Sequence, residues 1–161
     1  MKQFNKIYEE NKELDALFYN VCEINEERIE KDILALLVEI GELANETRCF
    51  KYWSDKKPSD KDDILDEFAD CMLSTFALCI MVDIDLDEEF KEIKIDNIIE
   101  QFKELYCITS KLNSSLDRDT LKLILSNLVN LARLLNFSDE EIIKGCLKKI
   151  ERNKERFKTG F

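Results

Sequence analysis

The sequence predicts an all-α fold, a helical bundle of about six helices, and three observations support this class. First, its 161 residues include only three glycines and one proline, whereas a β-sandwich, a barrel or a turn-rich chain needs many more such breakers. Second, hydrophobic residues make up 45% of the chain, which is too many for a disordered acidic protein. Third, apolar residues recur at helical spacing along most of the sequence. At this length we expect one domain over residues 1–161.

Cap residues and breakers divide the first half of the chain into three predicted helices. The first covers residues 3–22, where apolar residues form a helical stripe. The second covers residues 25–50 with Asn25 as its cap, and the third covers residues 59–82 with Ser59 as its cap. The segment between them, KYWSDKKPS, holds the only proline and is predicted to be a loop.

The second half of the chain predicts three more helices. They cover residues 96–112, 118–135 and 138–158, and the segment NSSLD separates the first two. Ser138 and Glu141 have the spacing of a capping box, in which both side chains accept backbone N–H groups at the start of a helix.

The absence of histidine excludes several kinds of functional site. Ser-His-Asp or Cys-His catalysis, a Cys₂His₂ zinc finger and a ferritin-like di-iron centre all require an imidazole. Any acid–base or metal chemistry must therefore use carboxylates, lysine, tyrosine or cysteine. The net charge of −11 also argues against sequence-independent binding of nucleic acid, which needs a broad basic surface.

Cysteine usage and hydropathy predict a cytoplasmic protein. None of the six cysteines forms a Cys-x-x-Cys pair and most lie in apolar runs, so we expect reduced, buried thiols. The N-terminal segment is too polar for a signal peptide. The most apolar stretch, residues 68–82, contains Asp70 and is too short to span a bilayer, so we expect no membrane partner.

The second predicted helix has an unusual distribution of acidic residues. At about 100° per residue, Glu39, Glu42 and Glu46 fall within an arc of about 60°, while apolar residues cover an arc of about 220°. A surface helix normally has a wide polar face instead. We therefore expect this helix to be mostly buried, with a narrow acidic strip. Its apolar arc comprises Ile33, Leu34, Leu36, Leu37, Val38, Ile40, Leu43 and Ala44.

The third predicted helix carries Glu67 and Asp70 on one face among apolar residues. If the second and third helices pack antiparallel across the short loop, this pair can face Glu39 and Glu42. Four desolvated carboxylates must be neutralised by protonation, by basic partners or by a cation, and neither helix offers a basic residue on the acidic strip. Oxygen ligands favour Mg²⁺ first and Mn²⁺ second, and Mg²⁺ commonly joins carboxylates to substrate phosphates. The alternative is a solvent-facing acidic groove that binds nothing.

Basic residues concentrate in the predicted loop and in the last helix. Trp53, among the lysines of the loop, is either a packing residue of the core or of a dimer, or a surface on which a base stacks. The cations of the last helix either stabilise its C-terminus through the helix dipole or bind phosphate. The basic residues are Lys51, Lys56 and Lys57 in the loop, and Lys148, Lys149, Arg152, Lys154, Arg156 and Lys158 in the last helix.

The segments LALLVEIGELANETRCFKYWSDKKP and ILDEFADCMLS together resemble the all-α dimeric dUTPases, which belong to the wider MazG-like superfamily of all-α NTP pyrophosphatases. The C-terminal segment KKIERNKERFKTGF is similar to the closing motif of that family. The resemblance implies Mg²⁺-dependent hydrolysis of dUTP to dUMP and pyrophosphate, and it makes dUDP a further candidate substrate. It also implies a homodimer whose sites draw on both subunits.

The resemblance further implies a role for each candidate residue. These roles are metal binding by Glu39, Glu42, Glu67 and Asp70, water activation by Glu39 or Glu46, phosphate binding by Lys51, Lys149, Asn153 and Arg156, and base binding by Asn11 and Trp53.

Three positions depart from the usual pattern of this family, and they leave the identity of the base open. Asn11 stands where the family commonly has glutamine, residues 71–74 read Cys-Met-Leu-Ser where relatives often have Gly-Leu-His-Phe, and Phe157 replaces a glutamine. One alternative is therefore the same chemistry on dCTP or a non-standard nucleotide. Another is a helical interaction protein without catalysis, although the complete set of four carboxylates favours an enzyme.

Overall fold

The computed structural model describes residues 1–19 and 23–160, and these residues form six α-helices and no strand. The prediction of an all-α bundle of about six helices is confirmed. After a 3₁₀ turn at Lys2–Phe4, the helices are α1 (Asn5–Tyr19), α2 (Glu26–Thr47), α3 (Lys61–Met81), α4 (Ile98–Thr109), α5 (Arg118–Leu134) and α6 (Asp139–Thr159). Residues 20–22, at the end of the first predicted helix, lie outside the described residues.

Helix α3 lies at the centre of the bundle and packs against α1, α2, α5 and α6. Its neighbours surround it, which explains why its sequence is apolar nearly all round. Helix α4 packs against α2 and α5, and α6 also packs against α1. The buried residues of α3 are Phe68, Ala69, Cys71, Met72, Leu73, Thr75, Phe76, Leu78 and Cys79.

Side-chain caps determine where several helices begin. Asn25 accepts a hydrogen bond from the backbone N–H of Arg28 at 2.9 Å, as predicted. The capping box of α6 is also confirmed, with Ser138 and Glu141 each accepting the other's backbone N–H. Helix α4 is shorter than predicted at both ends, and its start is set by Asn97, whose side chain accepts two backbone N–H groups.

The junction between α2 and α3 differs from its prediction. Helix α2 ends at Thr47 because Arg48 adopts a left-handed conformation with φ of 54°, and its N–H donates back to carbonyls of the last helical turn. The prediction that Ser59 caps α3 is wrong, because Asp60 takes the N-cap position without a side-chain cap bond. Ser59 instead donates its backbone N–H to the carbonyl of Glu46 at 3.0 Å.

The apolar arc of α2 is only partly buried, which contradicts the prediction of a mostly buried helix. Leu34 is 61% exposed and Val38 is 50% exposed. The hydroxyl of Tyr106 on α4 lies close to Gly41, one turn after Val38, because a Cβ placed on Gly41 would be 2.9 Å from it. Helix α2 therefore presents a buried apolar face, an acidic strip and an exposed apolar edge. The buried apolar residues are Ile33, Leu36, Ile40, Leu43 and Ala44.

The sequence also predicted buried, reduced cysteines and no segment that spans a membrane, and the structure can be compared with both predictions. No helix within the described residues is long and apolar enough to cross a membrane. The cysteines that the structure describes are all free thiols. Three of them are buried as expected, whereas Cys49 is half-buried and Cys107 is exposed. Cys22 lies outside the described residues.

We expect Ser138→Ala to lower the free energy of unfolding by about 1 kcal/mol, because the backbone N–H of Glu141 loses its acceptor. Equilibrium unfolding in urea measures this change. The matched control is Ser138→Asn, which keeps a capping oxygen and should unfold close to the wild type. Equal losses in the two variants would contradict a role of the cap in stability.

Candidate active site

The acidic strip of α2 faces α3 across a cavity of about 480 Å³. The backbone contact between Glu46 and Ser59 brings the end of α2 to the start of α3, so the two helices run antiparallel and their acidic residues meet further along. Helices α1 and α6 supply the other walls. The lining residues are Asn11, Leu14, Asp15 and Phe18 of α1, Glu39 and Glu42 of α2, Glu67, Asp70, Leu73, Ser74 and Ala77 of α3, and Lys149, Asn153 and Arg156 of α6.

Three carboxylates in this cavity are close enough to share one cation. Glu39, Glu67 and Asp70 each offer an oxygen, and these oxygens all lie within 4.8 Å of one another. The three side chains are half-buried, and Oε2 of Glu67 is fully buried without a hydrogen-bond partner among the described residues. Glu42 lines the same cavity but is exposed. A hard divalent cation fits this site because such ions take carboxylate oxygens as ligands.

Burial and mutual repulsion raise the pKa values of these carboxyl groups. The pKa of Glu39 rises to about 7, first because the side chain is partly buried and then because the other cavity carboxylates repel its charge. Burial, followed by the charge of Asp70, raises the pKa of Glu67. Burial also holds the pKa of Asp70 above its usual value, although Lys149 acts in the opposite direction. The cluster therefore favours the uptake of a proton or a cation.

Lys149 of α6 supplies a positive charge beside the carboxylate cluster, where neither α2 nor α3 places a basic residue. It is only 8% exposed, and its Nζ lies 2.8 Å from Oδ2 of Asp66 and also pairs with Asp70. Burial acts to lower the pKa of Lys149, but the two aspartates raise it overall. Burial acts to raise the pKa of Asp66, but Lys149 and Arg152 hold it below its usual value. Asp70 thus has a basic partner, whereas Glu39 and Glu67 form no ion pair in the described structure.

Most of the predicted site residues line the cavity, and three do not. Glu46 follows Glu42 by one turn of α2 and is not among the lining residues. The other two lie in the loop after α2. There, Nζ of Lys51 is 5.5 Å from the ring centroid of Phe50, and Trp53 is 65% exposed. The cavity lining gives these three residues no place beside the cluster, and the roles of all the candidate residues stay predictions.

Sequence reasoning missed two aspartates that the fold brings to the site. Asp66 lies four residues before Asp70 on α3, and Asp15 lies four residues after Asn11 on α1. Because residues four apart share a helix face, this spacing could have placed both aspartates beside the predicted site residues. Asn11 itself is buried, and its Nδ2 donates to the carbonyl of Leu73 at 3.1 Å. This bond joins α1 to α3 beside the cavity.

The fold and the site together define a class of protein. An all-helical bundle gathers carboxylate oxygens suited to a metal ion and, in the same cavity, cationic and amide groups suited to phosphate oxygens. Metal-assisted hydrolysis of a nucleoside triphosphate needs this combination.

Comparison with protein-family models identifies the family. The model described as dUTPase matches residues 3–161, so the chain belongs to the family of all-α dUTPases. The resemblance inferred from the sequence motifs is confirmed. A comparison with curated proteins gave no match. The chain is thus a dUTP diphosphatase, a nucleoside triphosphate pyrophosphatase, and the prediction of an enzyme is confirmed.

We expect Lys149→Met to lower the free energy of unfolding by about 2 kcal/mol, because Asp66 and Asp70 lose a charged hydrogen-bond partner in a partly buried site. Thermal or urea unfolding of the metal-free protein measures the loss. Lys148→Met is the matched control, since Lys148 is exposed on the same helix. Similar losses in both variants would contradict the stabilising role of the Lys149 ion pairs.

Proposed function

We propose that the cavity is the active site and that it hydrolyses dUTP to dUMP and pyrophosphate with Mg²⁺, for which Mn²⁺ is the second candidate. One observation carries the proposal: carboxylate oxygens of α2 and α3 lie within 4.8 Å of one another in a cavity that α6 lines with cations. The buried, unpartnered Oε2 of Glu67 supports the fit to a metal. When bound, Mg²⁺ would polarise the phosphate oxygens and lower the pKa of the attacking water. The metal ligands would be Glu39, Glu42, Glu67 and Asp70.

The polar side chains of α6 would bind the phosphate groups. Asn153 and Arg156 follow Lys149 by four and seven residues, so all three share the face of α6 that lines the cavity. The ion pairs with Asp66 and Asp70 would hold the ammonium group of Lys149 in place beside the metal ligands. A positive charge that is already oriented stabilises developing negative charge without reorganising. Arg156 can add a bidentate contact to phosphate oxygens.

Glu39 is the side chain best suited to take the proton of the attacking water. It is half-buried and belongs to the carboxylate cluster that would hold the metal, so it lies beside the place where a metal-bound water would be activated. Glu46 stays the second candidate that the sequence predicted. Substitution of each glutamate by glutamine, with the pH dependence of turnover as the readout, would separate the two roles.

We also propose that two copies of the chain pair through the exposed apolar edge of α2. Leu34 and Val38 lie one turn apart on α2 and are exposed in the single chain, as is Tyr106 of α4, whose hydroxyl is close to Gly41 of α2. Exposed apolar side chains that share a surface are typical of a protein interface. In such a homodimer, the loop that carries Lys51 and Trp53 would be available to the cavity of the partner subunit.

We further propose a cytoplasmic location. The free thiols of the described chain support a reducing compartment.

We expect Mg²⁺ to raise the melting temperature of the metal-free protein, because a ligand that binds only the folded state adds about 2.7 kcal/mol at 100 times its Kd. Glu67→Gln should reduce this shift and slow the release of pyrophosphate from dUTP at least 100-fold. Asp63→Asn removes an exposed carboxylate from the same helix and should retain both properties. Wild-type behaviour of Glu67→Gln would overturn the assignment of the metal site.

We expect Leu34→Asp combined with Val38→Asp to convert the homodimer to monomers, because the new charges would be desolvated at the interface. Sedimentation equilibrium measures the mass directly. Lys144→Asp introduces the same residue on an exposed part of α6 and should leave the dimer intact. A monomeric wild type, or a dimeric double variant, would contradict this interface.

A further inference from the structure

Asp15 of α1 is a cavity residue that the proposed hydrolysis does not use. It lines the cavity from α1, and its Oδ2 is buried without a hydrogen-bond partner in the described structure. On α3, the lining of the cavity continues past Asp70 through Leu73, Ser74 and Ala77, about one to two turns further along the helix. A buried carboxyl oxygen without a partner is costly, so its presence in a ligand cavity indicates a contact that a ligand supplies.

The surroundings of Asp15 favour its neutral form. Burial is the main cause that raises its pKa, to about 7, while Arg28 acts against this rise and Asp32 adds to it. These two residues of α2 also pair with each other, at 3.5 Å between Arg28 Nε and Asp32 Oδ2. The residues of α3 along 73–77 carry no charge. The remaining charged residues that line the cavity are Glu39, Glu42, Glu67, Asp70, Lys149 and Arg156.

We propose that Asp15 in its protonated form reads the hydrogen-bonding edge of the pyrimidine base. This inference rests on the proposed function, in which the phosphates of the nucleotide lie at the carboxylate cluster and at α6. The base of the same nucleotide must then lie away from the cluster. Asp15 meets this requirement, because the charges that act on its pKa are those of Arg28 and Asp32, and Asp32 lies about two turns of α2 before Glu39.

The donor and acceptor pattern of the base gives the chemical reason. A 4-keto pyrimidine presents its O4 acceptor beside its N3–H donor. A neutral carboxyl group presents an O–H donor beside a carbonyl acceptor, so the two edges are complementary. An ionised carboxylate presents only acceptors and leaves O4 opposite a negative oxygen. Binding of the base should therefore weaken as the pH rises through the pKa of Asp15, because a smaller fraction of the protein then carries Asp15 in its protonated form.

The test uses dUMP, whose binding by calorimetry needs no turnover. With a pKa of about 7, the protonated fraction falls about tenfold between pH 6 and pH 8, and the Kd of the wild type should rise by that factor beyond any change seen in Asp15→Asn. The asparagine amide keeps one donor beside one acceptor at every pH, so this variant should bind tightly at both pH values. Titration of the phosphate and of the carboxylate cluster affects both proteins and cancels in the comparison.

Two further variants separate base reading from a structural role. Asp15→Leu should weaken dUMP binding at least tenfold at pH 6, and its loss in dUTP hydrolysis should fall on KM more than on kcat. Glu13→Gln, which alters an exposed neighbour on α1, should behave as the wild type. The inference is overturned if Asp15→Asn retains the wild-type pH dependence or if Asp15→Leu binds dUMP as the wild type does. If the wild type released no pyrophosphate in the presence of Mg²⁺, the proposed function would be refuted instead. The binding of dUMP could still be measured in that case, because it needs no turnover.

Discussion

The carboxylates that α2 and α3 share across the cavity are the feature on which the rest of the structure depends. Because both helices bury apolar residues along much of their length, Glu39, Glu67 and Asp70 are partly desolvated and repel one another. Ordinary packing would place apolar residues at these positions. The folded chain is therefore held at a higher free energy until a proton or a cation neutralises the cluster, and this couples its stability to what it binds.

Cationic side chains of α6 neutralise part of the negative charge at the cavity, and other residues of α6 complete its lining. The ion pairs of Lys149 and Arg152 with Asp66 attach α6 to the central helix α3, so that Asn153 and Arg156 line the same cavity. One set of contacts thus contributes to the stability of the bundle and aligns the groups suited to phosphate. The basic character of the last helix consequently has a specific tertiary cause in addition to the helix dipole.

Much of the fold and of the site could be predicted because the relevant physics is local. Scarcity of glycine and proline, together with helical periodicity, established the all-α class, and the caps at Asn25 and Ser138 act within one helical turn. The spacing of the acidic pairs placed Glu67 and Asp70 on one face of α3, since residues three or four apart share a helix face, and antiparallel packing across the short loop brings that face to Glu39 of α2. The motifs built on these residues also identified the family, which the match over residues 3–161 confirms.

The sequence by itself determined which residues share a helix face, whereas the tertiary structure decided what each face contacts. Lys149 and Asp66 are 83 positions apart, so no local rule could pair them. Leu34 and Val38 belong to an apolar arc that is wide enough to suggest burial, yet the neighbouring helices cover only part of that arc. The half-buried position of Asp15 likewise depends on α1 packing against α3 and α6 beside the cavity. Burial and charge pairing arise from contacts between distant segments, and the period of a single helix does not encode them.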